Sequence, residues 1–189
     1  MIKLIVGLGN PGLQYEQTRH NAGFLFLDAF VAQNGGAWSV EAKFDGVLAE
    51  SHIGMQKVAL LKPLTFMNKS GLAVGKILRY FKFMPDELLV VHDELDLEAG
   101  VIRLKKGGGH AGHNGLRDII SHLGTKEFYR LRLGIGRPSA AANVADFVLS
   151  SPSKQESVQL VQAIDLGMQY MAKIVAGDLA SVMNELHTK

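Results

Sequence analysis

The sequence predicts an α/β fold in a single domain, and three observations carry that reading. Short apolar runs stand among longer stretches of helical spacing from one end of the chain to the other. The runs at residues 2–6 and 88–91 have no polar alternation, as expected of strands buried on both faces of a sheet. Both feed directly into polar residues: Gly7-Leu8-Gly9-Asn10-Pro11-Gly12 after the first, His92-Asp93-Glu94-Leu95-Asp96 after the second. Open α/β sheets build their sites at such strand ends. The first strand end, with the Arg19-His20-Asn21 that follows it, is therefore where the site is expected.

Each element has its own justification. Residues 13–21 show no apolar period and read as loop. Residues 22–33, with Phe24, Leu25, Leu27, Phe30 and Val31, read as a buried helix closed by Asn34-Gly35-Gly36. Residues 44–53 and 57–62, separated by Gly54-Met55-Gln56, suit a hairpin. Residues 65–82 carry Met67, Val74, Ile77, Leu78 and Phe81 at helical spacing, with Thr65 as the expected cap. Pro85-Asp86-Glu87 breaks that helix before the second buried strand. Residues 100–104 form a short strand, and a helix resumes over 116–123. Residues 128–136 alternate, with Phe128, Arg130, Arg132 and Gly134 on one face, and are expected as a half-exposed strand. Over 153–176, Val161, Ile164, Met168, Met171 and Val175 mark a helix ended by Gly177, with a last helix from Asp178. No repeat, low-complexity stretch or linker divides the chain.

Composition bounds the function. With 189 residues, 47% hydrophobic and 20% charged, the chain has the makings of an ordinary globular core. No apolar run approaches bilayer length, which excludes a helical membrane protein, and the opening Met-Ile-Lys-Leu-Ile-Val is broken too soon for a signal peptide. The lack of cysteine excludes disulfides and thiolate metal sites and fits a reducing cytoplasm. The net charge of +2 conceals an asymmetry: residues 100–137 carry 8 basic against 2 acidic residues, and the flanking segments are each slightly acidic. That basic excess suits either a local contact with a phosphate-bearing ligand or a solvated face.

Several motifs carry candidate chemistry. Gly7-x-Gly9-x-x-Gly12 matches the dinucleotide fingerprint, but Pro11 and the loop after it occupy the place of the required helix, and Asp28 sits inside an apolar helix rather than ending a second strand. The context excludes that reading. His20 becomes a candidate base because Asp93 emerges from the second strand end. A carboxylate on one ring nitrogen leaves the other free to take a proton near neutral pH. A metal cluster of Asp93, Glu94 and Asp96, with His110 and His113 as extra ligands, is the competing reading of that stretch. Lys105-Lys106-Gly107-Gly108-Gly109 ahead of a helix suits a phosphate or an anionic transition state, the alternative being a flexible surface loop. Asn10, Asn21, Asn68 and Asn114 supply amides that could hold a carbonyl and steady an oxyanion, although Asn68 and Asn114 could equally be helix-start residues. No serine or cysteine stands in a nucleophile elbow, so a hydrolase here would use water.

These blocks jointly resemble the bacterial peptidyl-tRNA hydrolase family: Gly7-Leu8-Gly9-Asn10-Pro11-Gly12, Tyr15, Thr18-Arg19-His20-Asn21-Ala22-Gly23, Phe66-Met67-Asn68-x-Ser70-Gly71, His92-Asp93-Glu94-Leu95-Asp96, Gly107-Gly108-Gly109-His110-x-Gly112-His113-Asn114-Gly115, and Arg130-Leu131-Arg132-Leu133-Gly134-Ile135-Gly136. One departure is Ala111, where the family more often has glycine. The resemblance implies one α/β domain over residues 1–189 with a twisted, mostly parallel mixed sheet flanked by helices. It implies a catalytic set of His20 as general base, Asp93 orienting it, and Asn10 contacting the peptide next to the ester. Substrate and tRNA would be held by Tyr15, Phe66, Met67, Asn68, His113 and Asn114, with Lys105 and Arg132 clamping the 5′ phosphate. It further implies a cytoplasmic monomer acting on peptidyl-tRNA, with no metal or other cofactor and no DNA or membrane partner. A tRNA- or nucleotide-binding module without catalysis is the alternative from another class.

Overall fold

The computed structural model describes residues 1–188. One seven-stranded sheet runs through it, in the order β2-β3-β4-β1-β5-β7-β6. Its strands are β1 (Leu4–Gly7), β2 (Ser39–Glu41), β3 (Gly46–Ile53), β4 (Gln56–Pro63), β5 (Leu88–Glu94), β6 (Ile102–Lys106) and β7 (Tyr129–Gly134). The middle four, β4, β1, β5 and β7, are mutually parallel, and antiparallel pairs close both edges. Every residue of β1 is buried, as its unbroken apolar run requires.

Helices cover both faces. On one lie α1 (Ala22–Asn34), α5 (Lys154–Ala176) and α6 (Leu179–His187), packed through Phe26, Leu27, Phe30, Ile174 and Val175 onto Ile5, Leu89, Val91, Leu131 and Leu133. On the other lie α2 (Ser70–Phe81) and α3 (Asn114–Leu123), whose Val74, Ile77, Leu116 and Ile119 meet Leu4, Val6, Leu88, Val90 and Phe128. The period of two along β1 and β5 sorts these residues between the cores. A further short helix, α4 (Val144–Val148), precedes α5. No helix among the described residues is long and apolar enough to cross a membrane.

The approach of α1 to the sheet explains two glycines of the opening motifs. A Cβ on Gly7 would stand 2.3 Å from the Gly23 carbonyl oxygen, and one on Gly23 would stand 2.3 Å from the Val91 carbonyl oxygen. Side chains at either position would force the helix off β1 and β5, so these glycines serve packing rather than a pyrophosphate.

Several boundaries differ from the sequence expectations. The helix expected from Thr65 begins at Ser70, because a 3₁₀ turn over Met67–Lys69 comes first. That turn is fixed by a tertiary bond, in which the Met67 N–H donates to the Asn10 Oδ1 at 2.7 Å. The strand expected over residues 100–104 lies at Ile102–Lys106, so Lys105 and Lys106 belong to the strand and not to the glycine loop. The strand containing Arg130 is interior, between β5 and β6, and Arg130 is only 2% exposed. In α5 the buried face runs through Leu160, Ala163, Ile164, Gly167 and Met171, and the expected stripe member Val161 is 56% exposed. Residues 13–21 contain two 3₁₀ turns, Leu13–Tyr15 and Arg19–Asn21. The three-residue β2 and five-residue α4 are too short for periodicity to have marked them.

Candidate active site

The carboxyl ends of β1 and β5 open into a cleft of about 430 Å³. Asn10 comes from the turn after β1, His20 from the 3₁₀ turn before α1, and His92, Asp93 and Glu94 from the end of β5. Phe66, Met67 and Asn68 enter from the start of α2, and His113 and Asn114 from the start of α3. His110, Ala111 and Gly112 line it from the loop before α3, and the rest of the wall is apolar, formed by Leu95 and by Val144, Ala145, Val148 and Leu149 of the α4 segment.

Asp93 is the hub. Alternation along β5 puts its side chain on the α1 face, where it is 2% exposed. His20 Nδ1 lies 2.9 Å from Asp93 Oδ1 and 3.1 Å from Oδ2, and His113 Nε2 lies 2.9 Å from Oδ1. An ionised carboxylate only accepts, so both ring nitrogens donate, and the His20 Nε2 lone pair is left for other work. Burial acts to lower the pKa of His20, but the Asp93 charge and hydrogen bond outweigh it and hold that pKa above the ordinary histidine value. For Asp93, burial acts to raise the pKa. The two histidines overcome it and keep the carboxyl ionised well below the usual carboxylate range.

His92 has a different role. Its Nδ1 bonds the Asp93 carbonyl oxygen at 2.6 Å, and full burial, reinforced by His113, pushes its pKa down to about 3. It is a neutral ring packed edge-on against His113, with centroids 5.0 Å apart.

The asparagines divide their work. Asn21, 1% exposed, clamps the backbone of Asn10: its Oδ1 accepts from the Asn10 N–H at 2.8 Å, and its Nδ2 donates to the Asn10 carbonyl at 3.0 Å. Asn10 in turn accepts the Met67 N–H, so the turns after β1 and before α2 are one hydrogen-bonded unit. Asn68 is exposed on the rim, and Asn114 occupies the first turn of α3. The cap of α3 is His113, not Asn114, since its Nδ1 accepts from the Leu116 N–H.

Not every expected residue reaches the cleft. Tyr15 stands outside its lining but packs edge-to-face on Phe66, with centroids 6.4 Å apart. Lys105 and Arg132 are also outside its lining, on the β6–β7 ribbon. The register sets Lys105 opposite Arg130 and Arg103 opposite Arg132, so four cations share one face. Arg130 is spent internally, donating to the carbonyls of Gly108 and Gly109 at 2.7 Å and 2.6 Å. The glycine loop is therefore held through its carbonyls by a buried guanidinium. Arg132 pairs loosely with Glu94, at 3.7 Å.

The expected acidic metal cluster does not converge, because Glu94 faces Arg132 and Asp96 pairs with Arg137. The donors that do converge are His20, Asp93 and His113, within 4.8 Å of one another, and the hydrogen bonds above join them. The sequence reading gave no role to His92, grouped Asn21 with the amides that could hold substrate although both its amide atoms are bonded to the Asn10 backbone, and missed the α4 wall. Asn143, whose side chain caps α4 by accepting from the Ala145 N–H, was the available signal for that helix.

The family model described as peptidyl-tRNA hydrolase matches residues 4–189. The peptidyl-tRNA hydrolase of Methylococcus capsulatus is 49% identical over 187 residues, covering 99% of this chain and 100% of that one. The one from Coxiella burnetii is also 49% identical, covering 99% and 98% respectively. A crystal structure of peptidyl-tRNA hydrolase from Acinetobacter baumannii superposes with a TM-score of 0.94 at 43% identity, covering 98% of this chain and 94% of that one. An Arabidopsis thaliana 5′-methylthioadenosine nucleosidase, at TM-score 0.53 and 10% identity, shares the fold alone.

Proposed function

The chain belongs to the peptidyl-tRNA hydrolase family, and from that membership we propose that it cleaves the ester joining an N-blocked peptide to the 3′ end of tRNA, with His20 as the general base. The observation that carries the mechanism is the 2.9 Å bond from His20 Nδ1 to the buried Asp93, which leaves Nε2 as a base in an open cleft. In this reading Nε2 takes a proton from water as its oxygen attacks the ester carbonyl. Asp93 stabilises the imidazolium that results. The tetrahedral intermediate collapses with loss of the ribose oxygen, which recovers the proton from His20 Nε2. An ester is already activated, so base catalysis with oxyanion stabilisation is sufficient chemistry.

The remaining residues bind. Asn10, whose Oδ1 is committed to Met67, offers its NH₂ to the peptide beside the ester. Asn68 and Asn114 hold the carbonyl and the attacking water, and Met67, Phe66 and Tyr15 line the path of the peptide and the tRNA end. Lys105 and Arg132, on the cationic ribbon beside the cleft, take the 5′ phosphate. Reading a phosphate and a ribose ester rather than base edges serves many tRNAs alike. The proposal extends to the whole chain as one domain working as a cytoplasmic monomer without a cofactor.

The test is hydrolysis of an N-acetyl-aminoacyl-tRNA beside the same tRNA with a free amine, in excess EDTA. Cleavage of the blocked substrate alone is expected. His20→Ala should lower kcat by about 10²- to 10⁴-fold. Lys105→Ala should instead weaken binding and reduce the slope of log affinity against log salt by about one. If His20→Ala kept most of its kcat, the assigned base would be wrong. Salt-dependent binding without cleavage by the unaltered protein would favour the binding module.

A further inference from the structure

We infer that His113 is a positioning residue that shares the Asp93 carboxylate with His20 and ties it to the start of α3. The inference rests on His20 being the base and assigns His113 work beyond lining the cleft.

Three observations support it. Asp93 Oδ1 receives two N–H groups at the same distance, 2.9 Å, one from His20 and one from His113. The other nitrogen of His113 is also committed, because Nδ1 caps α3 by accepting from the Leu116 N–H at 3.4 Å. The ring tautomer is thereby fixed, with the proton on Nε2 and the lone pair on Nδ1. Finally, histidine is an unusual cap. Serine, threonine, aspartate and asparagine do that job with shorter side chains, and none of them has a second, opposed nitrogen to offer Asp93. A ring that spans from a helix end to a buried carboxylate does both.

The consequences are local and physical. A carboxylate held by two donors has one orientation, and His20 takes its own orientation from it. A second hydrogen bond to the carboxylate also reduces its pull on the proton that His20 acquires. Asn114, the residue after His113, inherits a fixed position relative to the base.

The surrounding ionisable groups leave this arrangement to Asp93. On β5, His92 is neutral and Glu94 faces Arg132. On β7, Arg130 is bonded to the glycine-loop carbonyls. Next to His20 in its own turn, Arg19 is turned away to Ser150 and Glu156. From the loop before α3, His110 lines the cleft and accepts the Gly112 N–H on its Nδ1. The α4 residues lining the cleft are uncharged.

The discriminating variant is His113→Asn, which can still cap α3 but loses the bond to Asp93. Its pH dependence of kcat/KM is expected to keep its shape while the acid limb moves up by about half a unit to one unit. Its plateau kcat should fall while KM stays within about twofold of the unaltered protein, with far-ultraviolet circular dichroism unchanged. An acid limb that does not move would overturn the inference while leaving His20 as base untouched. Turnover retained by His20→Ala would instead overturn the reading beneath it. A measurement on the unaltered protein covers the case in which the variant does not fold. Imidazole ¹⁵N NMR above neutral pH should place the proton of His113 on Nε2 and that of His20 on Nδ1, and a His113 proton on Nδ1 would refute the arrangement.

Discussion

Removing the Asn21 carboxamide tests how the site is held together. Asn21→Ala deletes both bonds to the Asn10 backbone, 2.8 Å and 3.0 Å long, at a position 1% exposed. The Asn10 N–H and carbonyl would be stranded in a region 7% exposed. A buried polar group left without a partner costs about 1–3 kcal/mol, so the two together should destabilise the fold by about 2–6 kcal/mol. Entry of water into the vacated space would bring the value to the low end of that range. Against a typical domain stability of about 5–15 kcal/mol, such a loss is readily measured by urea denaturation. Trp38, the one tryptophan, gives the fluorescence signal. The functional cost follows the same path. Asn10 Oδ1 holds the Met67 N–H, so a shifted Asn10 moves the turn that presents Asn68. A fall in kcat/KM of at least about tenfold is expected from misplacement on that scale. Asn21→Asp should be no milder, because it keeps the acceptor for the Asn10 N–H but turns a carboxylate oxygen towards the Asn10 carbonyl. An Asn21→Ala protein within about 0.5 kcal/mol of the original, or one with unchanged kcat/KM, would refute the argument.

Two further predictions concern stability. His92 is held down to about 3 from the ordinary histidine value of 6.5, so the folded state refuses a proton that the unfolded chain accepts. Its contribution is therefore complete above pH 6.5 and is lost as pH falls through 3, by at most about 5 kcal/mol. His20, with its raised pKa, has the opposite sign: its contribution is present below 6.5 and lost as pH rises through the folded value. Urea midpoints between about pH 4 and 6.5 should vary less in His92→Leu than in the unaltered protein, and equal slopes would rule out His92 as the source. Ala111 has φ +47, in the left-handed region. Ala111→Gly relieves about 1–2 kcal/mol of backbone strain but adds about 0.4–1 kcal/mol of chain entropy to the unfolded state, so a net gain of up to about 1.6 kcal/mol is expected. A lower melting temperature in that variant would contradict it.

The parts of the molecule that were legible in the sequence are those set by short-range physics. The unbroken apolar runs of β1 and β5, the hairpin and the long α5 helix each follow from a pattern complete within a few turns or strands. Ser153 with Glu156 even encodes the capping box that starts α5. His20 and Asp93 were legible as candidates because a polar residue following a buried strand has few structural reasons to be there. Elements whose boundaries depend on distant partners were misjudged. α2 starts late because Asn10, far away in sequence, takes the Met67 N–H. Arg130 read as exposed because only its bonds to the Gly108 and Gly109 carbonyls make its burial tolerable.

By itself, then, the sequence determined the fold class, the strand ends at which chemistry gathers, and the residue types present there. Local propensity and hydrophobic period are properties of neighbouring residues, and they are written in order along the chain. Only the tertiary structure decided that Asp93 faces two histidines, that Asn21 supports Asn10, that α4 supplies the apolar wall, and that His113 rather than Asn114 caps α3. Each of those depends on which face of a strand meets which helix end. That is settled when the two cores on either side of the sheet pack, and no spacing along the chain records it.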